Sequence, residues 1–329
     1  MQMLTTALAQ AGLFAGIAWA GVMVPRDSPT YTMNPLIAQW DSSCGLSNPA
    51  NHAETRQDAV VRAWVGALEL AADAWDRWSD VKPFLKELAP ESHPNAGIEL
   101  KANQADAAYT QFFAMSFEKE TINKVEDVLK KMNTLTNVMP GKGGRPDIEM
   151  YISCNDESVG NMKCDKDLVF EVDLPDKKGS LLNFCTGFWE EPRFDVWKKA
   201  ALNAKHSGNG GPGDVTQKDW ERVRNIERWN AGTEAGTLFK QLTHIDWIGN
   251  TNPYDKDGKA NPTEIQGWWN NAQHATNTVH GKTTMKEVYL NAESYSWYAQ
   301  YGYFLRRLTP RSNPWPLAGP KMAPNSIAI

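Results

Sequence analysis

The chain has 329 residues, of which 41% are hydrophobic, and its 14 tryptophans add to the apolar surface that a sizeable core can bury. This length allows one large domain or two modest ones. The net charge of −5 and the lack of any run of lysine and arginine argue against a nucleic-acid-binding protein, which usually carries a basic patch.

The first 20 residues, MQMLTTALAQAGLFAGIAWA, carry no charged side chain and end in the small-x-small pattern Ala18-Trp19-Ala20. This pattern is typical of a secretory signal peptide, and the alternative is a buried N-terminal helix. No later apolar run approaches about 20 residues, the length that a membrane span needs. We therefore expect a secreted, extracellular chain that has no membrane attachment once the signal is removed.

Four cysteines follow the predicted signal peptide: Cys44, Cys154, Cys164 and Cys185. An even number of cysteines in a secreted chain favours two disulfides over free thiols or a metal cluster. Four cysteines can pair in three ways, and their spacing does not choose among them.

Hydrophobic periodicity predicts long helices towards both ends of the chain and short strands between them. An extended segment (21–43) precedes predicted helices at 53–78, 105–132 with an interruption near 115–119, 194–204, a stretch that begins near Thr233, and 285–308. The predicted strands are 147–154, 167–174 and 180–185, and we expect a small antiparallel sheet with a hairpin at 176–179. A Pro-rich tail (309–329) is expected to be irregular.

Several local strings occur together in an informative order. They are the cysteine frame with Cys185-Thr-Gly-Phe-Trp189, then Gly236-Thr237-Leu238 leading into Thr243-His244, and finally Asn291-Ala292-Glu293-Ser294-Tyr295. Over residues 44–305 the combination resembles the deuterolysin-like (aspzincin) metallo-endopeptidases secreted by fungi, especially their peptidyl-lysine-specific branch. The resemblance implies an α+β, mainly α fold. It would be a single zincin-like domain (44–308) with long helices, a small antiparallel β-hairpin sheet, and the disulfides Cys44–Cys154 and Cys164–Cys185.

The chain departs from this family at the positions that carry its chemistry. In the family, two histidines one helical turn apart and a downstream aspartate bind zinc, a glutamate activates water and a tyrosine steadies the transition state. The resemblance places Lys240 and Asn277 at two ligand positions, Gln241 at the base and His280 at the tyrosine, and it retains only His244. An ammonium has no lone pair to offer a metal, and glutamine is not a base near neutral pH.

Loss of two of three protein ligands predicts that catalytic zinc is not bound, so no cofactor is expected. Lys240 would then substitute for the metal, with its charge near Asp246 or Glu234. The alternative is an active metallo-endopeptidase that binds zinc through relocated ligands, since imidazole suits this ion. The candidate ligands are His244, His274, His280 and Asp246.

The sequence therefore predicts a catalytically inactive homologue of a zinc metallo-endopeptidase, a pseudopeptidase whose cleft retains peptide or protein binding. Trp268-Trp269, beside a polar insertion, is the aromatic pair that best suits an exposed binding surface. A monomer is expected.

Overall fold

The computed structural model describes residues 37–86, 106–113, 119–135, 149–155, 164, 169–174, 179–198, 232–245, 248–251 and 288–308. The predicted signal peptide (1–20), most of the extended segment and the Pro-rich tail (309–329) lie outside these ranges. So does the region that contains Trp268-Trp269.

The longer helices are α1 (Arg56–Lys86), α2 (Ala107–Phe113), α3 (Lys119–Thr134), α4 (Glu234–His244) and α5 (Ala292–Leu308). The interruption predicted between α2 and α3, near 115–119, lies almost wholly outside the described residues. Helix α1 runs beyond its predicted end because Trp78, Val81 and Leu85 continue the buried stripe at helical spacing. Helix α5 begins seven residues later than predicted, at Ala292 rather than 285. Asn291, a residue type favoured at helix starts, precedes it.

Helix α1 lies at the centre of the helical layer, where it packs against α3, α4 and α5. Helix α5 in turn packs against α2 and α4. Its aromatic side chains are core residues, as predicted; they include the fully buried rings of Tyr295, Tyr298 and Tyr301. None of the helices in the described ranges is both long and apolar enough to cross a membrane.

The sheet contains β1 (Ile37–Trp40), β2 (Glu149–Ser153), β3 (Val169–Leu174) and β4 (Gly179–Phe184), in the order β1-β2-β4-β3. The pairs β1–β2 and β2–β4 are parallel, and only β3–β4 is antiparallel. The prediction of an antiparallel sheet of two or three strands is therefore wrong, whereas the α+β, mainly α class is confirmed. Local turn signals indicate hairpins, but parallel pairing joins strands that are distant in sequence, so no local signal predicts it.

Two disulfides fasten this sheet, Cys44–Cys154 and Cys164–Cys185, and they are the pairs that the resemblance implies. Cys44 lies in a 3-10 turn (Ser42–Gly45) directly after β1, and Cys154 directly follows β2. The pairs are separated by 110 and 21 residues. Loop-closure entropy of this size corresponds to roughly 5 and 3 kcal/mol. Such bonds are typical of chains that fold in an oxidising compartment.

Candidate functional site

Helix α4 carries the string that resembles the family's active-site helix, and it begins where the sequence predicts. Thr233 is its N-cap residue, and the Thr233 hydroxyl oxygen accepts a hydrogen bond from Gly236 N at 3.3 Å. Gln300 of α5 lies across this first turn. Its Oε1 accepts from the amide and the hydroxyl of Thr233, both at 2.9 Å, and its Nε2 donates to Ser296 Oγ at 3.1 Å.

Gly236 is required by this crossing. A Cβ atom at residue 236 would lie 1.8 Å from Gln300 Nε2. The Gly236 carbonyl also accepts a hydrogen bond from Ser296 Oγ at 2.8 Å. The glycine of Gly236-Thr237-Leu238 thus allows α5 to approach α4 closely and fixes how the two helices face each other.

Lys240 forms an ion pair with Glu293, the acidic residue of Asn291-Ala292-Glu293-Ser294-Tyr295. The distance from Lys240 Nζ to Glu293 Oε1 is 3.1 Å, and the two side chains are only 12% and 15% exposed. Glu234, one of the two expected partners, instead pairs with Arg62 of α1 at 3.4 Å. Glu234 precedes Lys240 by six residues, which rotates it about 240° around the helix, so the two side chains point in different directions.

His244 is buried one turn after Lys240, at the C-terminal end of α4. Its Nδ1 is hydrogen-bonded to the carbonyl oxygen of Thr251. A carbonyl can only accept, so Nδ1 carries the proton and the lone pair is on Nε2. Burial and the nearby Lys240 ammonium lower the pKa of His244 to about 3, so the imidazole is neutral over the physiological range. Its bond to Thr251 fastens the turn that follows the helix.

Gln241, which the resemblance places at the position of a general base, is buried on the same helix. A glutamine amide takes up no proton near neutral pH, so this side chain cannot activate water. Lys240, Gln241 and His244 thus lie together as the spacing predicts, but they provide an ammonium, an amide and a neutral imidazole.

Glu191 belongs to this site, although sequence reasoning missed it. It directly follows the 3-10 turn Thr186–Glu190, and its buried Oε2 has no hydrogen-bond partner among the described residues. Burial is the largest cause that raises the pKa of Glu191, to about 7. The carboxylates of Glu234 and Glu293 act in the same direction, whereas a hydrogen bond to Thr237 and the charge of Lys240 lower the pKa. Only a Glu-Glu-Pro string marks this residue, and no periodicity places it against α4.

Glu234 is a second carboxyl with a perturbed pKa. Burial raises the pKa of Glu234 to about 7, against the opposing effects of Arg62 and of a hydrogen bond from Phe194 N. That hydrogen bond, from Phe194 N to Glu234 Oε2, measures 2.7 Å. Glu234 therefore joins α4 both to α1 and to the segment that carries Glu191.

The described residues of the site do not fit a zinc ion. Within the described ranges, no group of three or more histidine, cysteine, aspartate or glutamate side chains could hold a metal. Lys240 contributes an ammonium, which has no lone pair to offer a metal. The positions of Asp246, His274, Asn277 and His280 lie outside the described residues, so the downstream motif and the relocated ligand set stay predictions.

No protein-family model matches the chain, and no curated protein is significantly similar to it.

Proposed function

We propose that this chain is a secreted pseudopeptidase, a zincin-like domain of the deuterolysin type that has lost zinc-dependent catalysis. The observation that carries the proposal is the ion pair between Lys240 and Glu293. It places a positive charge on the helix face where the family binds its metal. The string around Glu293 contributes to the resemblance as well, so both partners of the ion pair come from the motifs that suggest the family.

The ion pair favours this function over metal-dependent hydrolysis. Lys240 is paired with Glu293, so residue 240 could offer a lone pair to zinc only after its ammonium had lost its proton and its bond to Glu293. Gln241 adds a second obstacle, since it cannot serve as the base.

The first experiment measures zinc and proteolysis on the purified, fully oxidised chain. After equilibration with zinc and dialysis, we expect well below one zinc per chain by elemental analysis. We also expect no chelator-sensitive cleavage of a lysine-containing peptide. One zinc per chain together with chelator-sensitive cleavage refutes the proposal and supports the relocated ligand set.

Two matched variants identify the source of any bound zinc. His244→Asn keeps a donor near the position of Nδ1 but removes the Nε2 lone pair. His52→Ala removes an exposed histidine whose ring lies beside Ser47. Zinc that is lost in His244→Asn and kept in His52→Ala would belong to the candidate site. Zinc that is lost only in His52→Ala would be surface binding.

Retained peptide binding, the second part of the proposal, is tested by fluorescence anisotropy with a labelled lysine-containing peptide. We expect saturable binding without cleavage. Lys240→Met keeps the aliphatic stem but removes the charge, and we expect it to change the dissociation constant. Lys130→Met, on the exposed side of α3, is the control and should leave the dissociation constant unchanged. Absence of binding by the unmodified chain would exclude the retained-binding part.

A further inference from the structure

Residues Glu191 to Phe194, which we call the clasp, lie against the N-terminal half of α4. Glu234 N donates to the carbonyl oxygen of Pro192 at 3.1 Å, and Phe194 N donates to Glu234 Oε2 at 2.7 Å. The Glu191 carboxyl is hydrogen-bonded to Thr237, one turn further along the helix. The clasp is thus attached to α4 at three points, one of which is the carboxyl of Glu191.

The far end of the clasp is held by apolar packing. Phe194 is buried, and its ring lies 5.1 Å from that of Tyr303 and 5.8 Å from that of Phe304, centroid to centroid. The same ring approaches Gly66 of α1, where an added Cβ would lie 3.0 Å from it. These apolar contacts do not depend on pH, whereas the Glu191 end has a titratable attachment.

The Glu191 end has more carboxyl groups around it than cations. Among the described residues, the charged groups near Glu191 and Glu234 are Glu293 and Lys240 on α5 and α4, Arg62 of α1 with its partner Glu54, Arg193 within the clasp and Asp195 beside it. Together with Glu191 and Glu234 themselves, these described groups are five carboxyls and three cations. Arg62 pairs with Glu234 and Lys240 with Glu293, whereas Glu191 Oε2 has no hydrogen-bond partner in the described ranges. An ionised Glu191 would therefore be a buried, incompletely paired charge, which folded proteins avoid.

We propose that protonation of Glu191 controls the position of the clasp. The clasp is closed on α4 while Glu191 is protonated, and its Glu191 end detaches from the helix when this carboxyl ionises. A protonated carboxyl loses the repulsion from Glu234 and Glu293 and needs no second donor at Oε2. An ionised Glu191 carboxylate can be hydrated only if it moves out of its buried position against α4. Detachment frees Thr237 and the adjoining face of α4 while Phe194 keeps its place in the core.

The sign of the pH dependence follows from the raised pKa of Glu191. The closed clasp binds the proton more tightly than the open one, so opening increases as pH rises from about 4.5 to about 7 and then levels off. The increase is about tenfold per pH unit within this window, so it reaches on the order of 100-fold in total. Clasp opening involves neither metal nor peptide, so its test is independent of the proposed pseudopeptidase function.

Hydrogen exchange of the oxidised full chain, followed by mass spectrometry, measures clasp opening. We expect the protection of peptides covering 186–198 to fall between pH 4.5 and 7.5, after correction for the intrinsic pH dependence of exchange. Peptides from α3 provide the internal reference, and their corrected protection should stay constant. A wild-type chain whose clasp protection is constant over this range overturns the proposal without any variant.

Two neighbouring substitutions form a matched pair. Glu191→Gln keeps the shape and a hydrogen-bonding partner for Thr237 without a titratable proton, so its clasp should stay as protected at pH 7.5 as at pH 4.5. Glu190→Gln changes the adjacent, exposed carboxyl and should behave like the wild-type chain. The role of Glu191 is also refuted if clasp protection in Glu191→Gln falls with pH as it does in the wild-type chain. It is refuted as well if Glu190→Gln abolishes this fall.

Discussion

Gly236→Ala is expected to destabilise the fold, and the size of the effect can be worked out from the contacts of Gln300. The new methyl carbon would lie 1.8 Å from Gln300 Nε2 and 1.9 Å from its Cδ, so the amide group must move away. It then loses two hydrogen bonds from Thr233 and one to Ser296. At about 1 kcal/mol each, these bonds amount to about 3 kcal/mol. Alanine returns up to about 1 kcal/mol through its helix propensity, which leaves a net loss of about 2 kcal/mol.

Urea unfolding of the oxidised chain, at one pH, measures this loss, and Gly45→Ala is the control. Among the described residues, no atom lies within 4 Å of a Cβ added at residue 45, so the free energy of unfolding should change by less than about 0.5 kcal/mol. Gln300→Ala removes the same three hydrogen bonds. In the double variant, the methyl group added at residue 236 no longer collides with the side-chain amide of residue 300.

The double-mutant cycle provides the decisive comparison. If Gly236 serves the approach of Gln300, Gly236→Ala costs about 2 kcal/mol alone, whereas in the Gln300→Ala background it stabilises by up to about 1 kcal/mol through helix propensity. Additive losses in the cycle, or a loss below about 0.5 kcal/mol for Gly236→Ala alone, would show that the close approach is not what requires the glycine.

Two further substitutions probe buried groups. Burial lowers the pKa of His244 to about 3, so its contribution to stability is present above pH 6.5 and is lost as pH falls towards 3. In His244→Asn, the urea midpoint should therefore fall less between pH 7 and pH 4 than it does in the wild-type chain. An equal fall in the two chains would contradict the assignment. Arg77 is buried and donates to Asp73 and Asp106, both at 2.9 Å, so Arg77→Met removes the cation that these two buried acids share and should cost about 3–5 kcal/mol. Arg306→Met, at an exposed ion pair, should cost less than about 1 kcal/mol, and equal losses for the two would refute the special role of the buried network.

The elements that could be predicted from sequence are those with a local signal. Helix α4 begins at its threonine cap, and α3 covers most of the apolar stripe that predicts it. The aromatic residues of α5 occur at helical spacing, so their burial follows from their order. Both disulfide pairs match the resemblance, although cysteine spacing alone left three pairings open.

Features that depend on distant contacts could not be predicted in this way. The parallel pairing of β1 with β2 joins segments on either side of three helices, and no turn residue indicates it. The partner of Lys240 is decided by how α5 crosses α4, not by neighbours on the same helix. Glu191 lies in a short irregular segment, and its importance arises only when that segment meets α4, where burial and two other carboxyls raise its pKa.

The long disulfide determines the timing of folding during synthesis. Cys44 and Cys154 are 110 residues apart, and chains grow at about 5–20 residues per second. Roughly 5 to 20 s therefore pass between the synthesis of Cys44 and that of its partner Cys154. During that interval β2 has not yet been made to pair with β1, and neither α4 nor α5 packs against α1. The growing chain consequently exposes the Cys44 thiol and an incompletely covered apolar helix at the same time.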